Sequence, residues 1–338
     1  MIVILKPNAS EKEIQHIIDK AEKLGLKAHI SRGVERTIIG FIGPEDVLRV
    51  TPLEAFSGVE RVMPVLAPYR LVSREFKKES SEVRVNDNVV FGGKKVVMIA
   101  GPCSIESHDG LLSVAEKVKA AGATVLRGGA FKPRTSPYDF QGLGEEGLKY
   151  MQEASQKTGL ATVTEVIDPR HVELVARFVD MFQIGARNMQ NFTLLQEVGM
   201  TQKPVLLKRG MSSTINDLLM SAEYVLSKGN FNVVLCERGI RTFETATRNT
   251  LDINAVAVVK KLSHLPIIVD PSHATGRWGL VAAAAKAGIA AGCDGLMIEV
   301  HENPEDAFSD GNQSLVPENY QELVGELTRV AQAVDRCI

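Results

Sequence analysis

Cys103, His273, Glu299 and Asp310 are widely separated in the chain, but each lies at the end of an apolar run or in the loop beyond one. A thiol, an imidazole and two carboxylates are donor types that suit a divalent transition metal. Their spacing is not a local CxxC or HExxH pattern. Each therefore keeps a bland alternative: a packed thiol, a hydrogen-bonded loop histidine and two rim carboxylates. A second population is cationic: Arg127, Lys132, Arg134, Arg187, Lys208 and Arg238. The chain carries 39 Lys and Arg against 41 Asp and Glu, a net charge of -2, so this clustering does not reflect composition. Cations gathered on one rim repel each other unless an anion joins them. A ligand with more than one phosphate or carboxylate group is the natural partner, since Arg offers bidentate geometry and Lys a point charge. One or two of the six are expected to pair instead with Glu165, Glu237 or Asp270.

These residues converge only if the fold brings strand ends together. From residue 96 apolar runs alternate with helical stretches, eight of each: 96–100, 124–127, 161–165, 181–185, 205–208, 233–237, 267–270 and 296–300. Fully apolar strands imply a parallel sheet covered on both faces. Eight such units over residues 96–336 fit an α/β (β/α)8 TIM barrel, typically about 250 residues long, with its chemistry at the C-terminal strand ends. A doubly wound open sheet is the alternative, but no GxGxxG opens a helix after the first strand.

Ahead of the barrel, residues 1–66 read as a small ferredoxin-like α+β domain of order βαββαβ. Strands are expected at 2–5, 27–31, 37–42 and 61–65, with a helix ending at Gly25 and a short one over 47–50. No residue in this unit looks catalytic. Residues 67–95 read as a charged linker followed by a hairpin turning at Asn86-Asp87-Asn88, and 96–338 as the catalytic barrel. The charge balance gives no general pull toward nucleic acid, and no apolar run is long enough for a membrane. The 4 Cys are far apart and suggest no disulfide framework, so a reducing cytoplasm is the simpler setting.

The stretches GPCSIES, LRGGAFKPRTSPYDFQG, QIGARN, VLLKRG, ERGIRTF, VDPSHATG and IEVHENP resemble 3-deoxy-arabino-heptulosonate 7-phosphate (DAHP) synthase, in register over residues 96–336. KPRTSP separates this family from 3-deoxy-manno-octulosonate 8-phosphate synthase, which usually has a Lys-Ala-Asn-Arg segment there. The N-terminal unit is similar to the ferredoxin-like regulatory domain of one DAHP synthase branch. The resemblance implies an enzyme of the shikimate pathway, condensing phosphoenolpyruvate, erythrose 4-phosphate and water to DAHP and phosphate. It implies a divalent metal (Mn, Fe, Zn, Co or Cu) on Cys103, His273, Glu299 and Asp310, the last of these in a loop that also holds Asp306. Phosphoenolpyruvate contacts map to Arg127, Lys132, Arg187, Lys208 and Arg238, and aldose phosphate contacts to Arg134 and Thr135.

Lys132 is the candidate to protonate the aldehyde oxygen and Glu165 to position the water, with His273 beside them. An aromatic amino acid, Tyr or Phe, is the expected inhibitor, bound by residues 1–66 between subunits and closing access to the barrel, and a homotetramer is the expected assembly. The nearest rival reading keeps the fold and donor but uses arabinose 5-phosphate. Others are a Schiff-base aldolase with Lys208 as nucleophile, and a phosphosugar sensor without catalysis.

Overall fold

The computed structural model describes residues 1–33, 36–43, 52–63, 68–134 and 136–338. They form two compact units, Met1–Pro68 and Tyr69–Ile338. In the first, β1 (Ile2–Leu5), β2 (Lys27–Arg32), β3 (Thr37–Ile42) and β4 (Val59–Met63) make an antiparallel sheet of order β2-β3-β1-β4. The helix Glu11–Lys23 starts where Ser10 and Glu13 close a reciprocal capping box. It stops at Gly25, whose φ of 78° favours glycine. Ile14, Ile17, Ile18 and Ala21 line one face of the helix and join Val3, Leu5, Ile39 and Phe41 in the core. The expected helix at 47–50 lies outside the described residues, as do residues 64 and 65 of the last expected strand.

The second unit is a closed parallel barrel, as its apolar runs imply. Its strands are β7 (Val97–Gly101), β8 (Val125–Arg127), β9 (Ala161–Glu165), β10 (Met181–Ile184), β11 (Val205–Lys208), β12 (Val233–Glu237), β13 (Ile267–Val269) and β14 (Gly295–Glu299). Every residue of these strands is buried. Helices at 108–120, 145–158, 192–199, 215–226, 254–262, 278–290 and 317–333 follow strands and cover the barrel, and a short one at 172–176 follows β9. Strands β14 and β7 close the ring, with Glu299 opposite Gly101.

The hairpin of β5 (Val83–Asn86) and β6 (Val89–Phe91) contributes Val83, Val89 and Phe91 to the same buried cluster as alternate residues from all eight barrel strands. It closes the interior opposite the strand ends that carry polar residues. The segment before it has no regular element of its own. The Glu223 carboxylate accepts from the backbone N–H groups of Arg70, Leu71 and Val72, and Ser263 Oγ donates to the Val72 carbonyl. No helix among the described residues is long and apolar enough to cross a membrane.

Candidate active site

Side chains of a strand alternate between faces, so a residue two positions beyond an interior one is interior too. Ile99, Val125, Val163, Met181, Leu206, Cys236, Ile268 and Met297 share one buried apolar cluster. Two residues further along the same strands come Gly101, Arg127, Glu165, Gln183, Lys208, Arg238, Asp270 and Glu299. The barrel interior thus changes from apolar to polar within one step. The exception is Gly101, and it is required. Its φ is 146°, and a Cβ there would sit 2.1 Å from the Arg127 carbonyl oxygen.

Cys103, two residues past Gly101, meets His273, Glu299 and Asp310 in a group whose donor atoms all lie within 4.8 Å of one another. The short helix Pro271–Thr275 after β13, capped by Asp270, aims the imidazole. Asp270 Oδ2 accepts from His273 Nδ1 at 2.7 Å, which turns Nε2 toward Glu299 Oε1 at 3.3 Å and Asp310 Oδ2 at 4.0 Å. A carboxylate behind the imidazole both orients it and raises its basicity. Cys103 Sγ lies 3.1 Å from Asp310 Oδ2 and 3.0 Å from Lys132 Nζ. Asp310 adopts left-handed backbone geometry, φ 57° and ψ 28°, at a cost of about 1–2 kcal/mol. Arg248 donates to its Oδ1 and Ser314 Oγ to its carbonyl, which offsets that strain.

The electrostatics follow from burial and proximity. Burial pushes the Cys103 thiol up to about 11, and the Glu299 carboxylate adds to this. Burial lowers His273 despite Asp270, so the imidazole is neutral at physiological pH. Burial opposes ionisation of Asp310, but His273 and Arg248 outweigh it and hold the carboxyl well below the usual range. Burial also opposes the Lys132 charge; the neighbouring Cys103 sulfur reverses that, and the ammonium is retained. The donor set fits a divalent cation: sulfur, a neutral nitrogen whose far side is hydrogen-bonded, and two carboxylates each turning one oxygen inward.

The six cations divide into two groups. Arg127 pairs with Glu299 at 2.9 Å and Lys208 with Asp270 at 2.5 Å. Of the other carboxylates expected as partners, Glu237 pairs with Arg209 and Glu165 accepts from Gln183. Arg134 donates to the Phe308 carbonyl and stands 3.8 Å from Asp139; its neighbour Thr135 lies outside the described residues. Arg187 and Arg238 make no ion pair among the described residues. The Arg238 side chain reaches only the Gly239 carbonyl at 3.4 Å, and its buried Nε has no partner. Arg127, Lys132, Arg134, Arg187, Lys208 and Arg238 line one cavity together with His273 and Asp310.

Sequence reasoning overlooked Arg248, Gln313 and Gln183. Gln183 could have been found by counting two residues on from Met181 in β10. Arg248 and Gln313 lie in loops, where no period places them. His301 hydrogen-bonds Glu106 at 3.4 Å and is not one of the four clustered donors. Cys236 and Cys293 are buried free thiols, and Cys337 is exposed.

Comparison with known proteins agrees with this geometry. Residues 77–335 match the DAHP synthetase I family, and residues 1–67 match the DAHP synthase ferredoxin-like domain. The chain is 51% identical over 334 residues to a phospho-2-dehydro-3-deoxyheptonate aldolase of Thermotoga maritima, covering 99% of this chain and 98% of that protein. The crystal structure of a Thermotoga maritima DAHP synthase superposes with a TM-score of 0.94 at 50% identity, over 99% of this chain and 98% of that one. A 2-dehydro-3-deoxyphosphooctonate aldolase of Syntrophotalea carbinolica is 31% identical over 262 residues, 72% of this chain and 94% of that protein.

Proposed function

The chain belongs to the DAHP synthetase I family, and from that premise we propose that it condenses phosphoenolpyruvate with erythrose 4-phosphate and water, giving DAHP and phosphate, with a divalent metal held by Cys103, His273, Glu299 and Asp310. The observation that carries this reading is that the buried guanidinium of Arg238 and that of Arg187, neither in an ion pair among the described residues, line the cavity that also holds His273 and Asp310. A buried guanidinium N–H without an acceptor is costly, and a phosphate oxygen would satisfy it with charge-assisted bonds.

Phosphoenolpyruvate brings a phosphate and a carboxylate to Arg127, Lys132, Arg187, Lys208 and Arg238. Arg134 and Thr135 take the phosphate of the aldose. A divalent cation on the four donors would supply Lewis-acid polarisation of the aldehyde. The chain's own residues handle the protons. Carbon 3 of phosphoenolpyruvate attacks the aldehyde carbon while the Lys132 ammonium, kept charged by its surroundings, protonates the aldehyde oxygen. Glu165 orients the water that adds at carbon 2. Gln183 holds one of its oxygens at 3.2 Å, and Gly185 leaves room for the other, since a Cβ there would meet Glu165 Oε1 at 2.0 Å. Phosphate then leaves by C–O cleavage.

The N-terminal unit supports feedback control: it is separate and carries the family's ferredoxin-like domain. In this reading it binds Tyr or Phe, in a homotetramer. Calorimetric titration of phosphoenolpyruvate tests the anion site. Arg238→Ala and Arg187→Ala should each weaken binding about tenfold or more, and unchanged affinity in both would remove the support for this reading.

A further inference from the structure

Each carboxylate of the donor group turns one oxygen inward and has the other tied down. Glu299 Oε1 faces Arg127 and His273, while Oε2 accepts from Gln313 Nε2 at 2.7 Å. Asp310 Oδ2 faces Cys103, while Oδ1 accepts from Arg248 Nη1 at 2.9 Å. The two restraints are joined, because the same Arg248 nitrogen donates to Gln313 Oε1 at 2.8 Å. A guanidinium can only donate, so it fixes the amide's orientation: the Gln313 oxygen must face Arg248, and its NH2 group must face Glu299. Gln313 is 2% exposed, too enclosed to exchange these partners for solvent. Arg248 is in turn set by the loop around it. Its backbone N–H donates to the Thr275 carbonyl, and its Cβ lies over Gly276, where a Cβ would approach within 2.4 Å.

We infer that Arg248 and Gln313 are positioning residues that together hold Glu299 and Asp310 as single-oxygen donors, and so set the affinity and coordination number of the cation site. The inference rests on the metal reading above and goes beyond it, since neither residue is a ligand. With Gln313 removed, Glu299 Oε2 is free to turn inward and join the cation. With Arg248 removed, Asp310 Oδ1 is freed and Gln313 loses the contact that orients it. The effects of the two substitutions should therefore overlap rather than add.

The test uses the full chain, stripped with a chelator, with Mn2+ affinity read from the paramagnetic resonance of the free ion and Co2+ coordination from its visible spectrum. Gln313→Met keeps the length of the side chain and removes both hydrogen bonds. It should weaken Mn2+ binding about 10- to 100-fold, the range for loss of a partner behind a ligand. Its Co2+ bands should weaken in intensity as the coordination number rises, a change that a fold defect alone would not produce. Gln313→Met combined with Arg248→Met should bind no more weakly than Arg248→Met within about threefold. Arg248→Lys, at a partly exposed position, covers the case in which Gln313→Met does not fold. One ammonium in place of the fork should give an intermediate loss. Parent-like Mn2+ affinity and Co2+ spectra in folded Gln313→Met, or parent-like affinity in Arg248→Lys, would overturn the inference alone. A parent chain that binds neither ion would overturn the metal reading, and the inference with it.

Discussion

Binding of a divalent cation should release one proton per ion, and that proton should come from Cys103. A thiol ligates as thiolate, and this thiol is pushed up to about 11, by burial first and by Glu299 second. His273 and Asp310 have no proton to give above neutrality. His273 is lowered by burial, and Asp310 is held low by His273 and Arg248 against its own burial. Glu299 is ion-paired to Arg127. With a single proton displaced, apparent affinity should rise about tenfold per pH unit between about pH 7 and 8.5. Across that window the gain is about 30-fold, or about 2 kcal/mol. At more acid pH the slope should steepen as His273 begins to hold a proton in the free protein. Mn2+ affinity of the stripped full chain, measured across this range, gives the slope. Calorimetry in two buffers of different ionisation enthalpy counts the proton directly. A flat profile, or a unit slope that persists in Cys103→Ala, would refute the reasoning.

Three further outcomes follow from the geometry. Gly101→Ala combines a φ of 146° with a Cβ 2.1 Å from the Arg127 carbonyl oxygen. It should cost about 2–5 kcal/mol by urea denaturation, and a loss under about 1 kcal/mol would contradict the close approach of β7 to β8. Gly185→Ala has no backbone strain, since φ is -68°, but it displaces the Glu165 carboxylate. Turnover should fall about 100-fold with little change in melting temperature, whereas parent-like turnover would free Glu165 of its assigned role. Arg209→Met leaves Glu237, 0% exposed, without its cation. A loss of about 3–5 kcal/mol is expected, and full stability would mean that the pair does not hold the loop after β12.

The barrel was legible because parallel strands covered on both faces must be mostly apolar, and β7 to β14 are so up to their polar C-terminal ends. The N-terminal sheet was legible for a different reason: its helix keeps one apolar face and stops at a glycine, and its strands flank turn residues. The charged strand ends could be read because alternation carries Met297 to Glu299 and Leu206 to Lys208 without any tertiary knowledge. Asp310 could be named only as a carboxylate further along the last strand's loop, because loop length, not period, puts it beside Cys103. Arg248 and Gln313 were illegible for the same reason. Their partners lie elsewhere in the chain, and the second of the two arginines in RTFETATRNT carries no mark of its neighbour. The pinning of residues 70–72 by Glu223 was equally hidden, since the segment itself reads only as charged.

The central claim joins a cation-lined cavity to a metal-dependent condensation with a four-carbon aldose phosphate. Phosphate release from phosphoenolpyruvate tests it most directly, run with erythrose 4-phosphate or arabinose 5-phosphate, with and without a chelator. Release with erythrose 4-phosphate alone, abolished by the chelator and restored by added divalent metal, is the predicted result. Release with arabinose 5-phosphate in its place, or release indifferent to the chelator, would contradict the account.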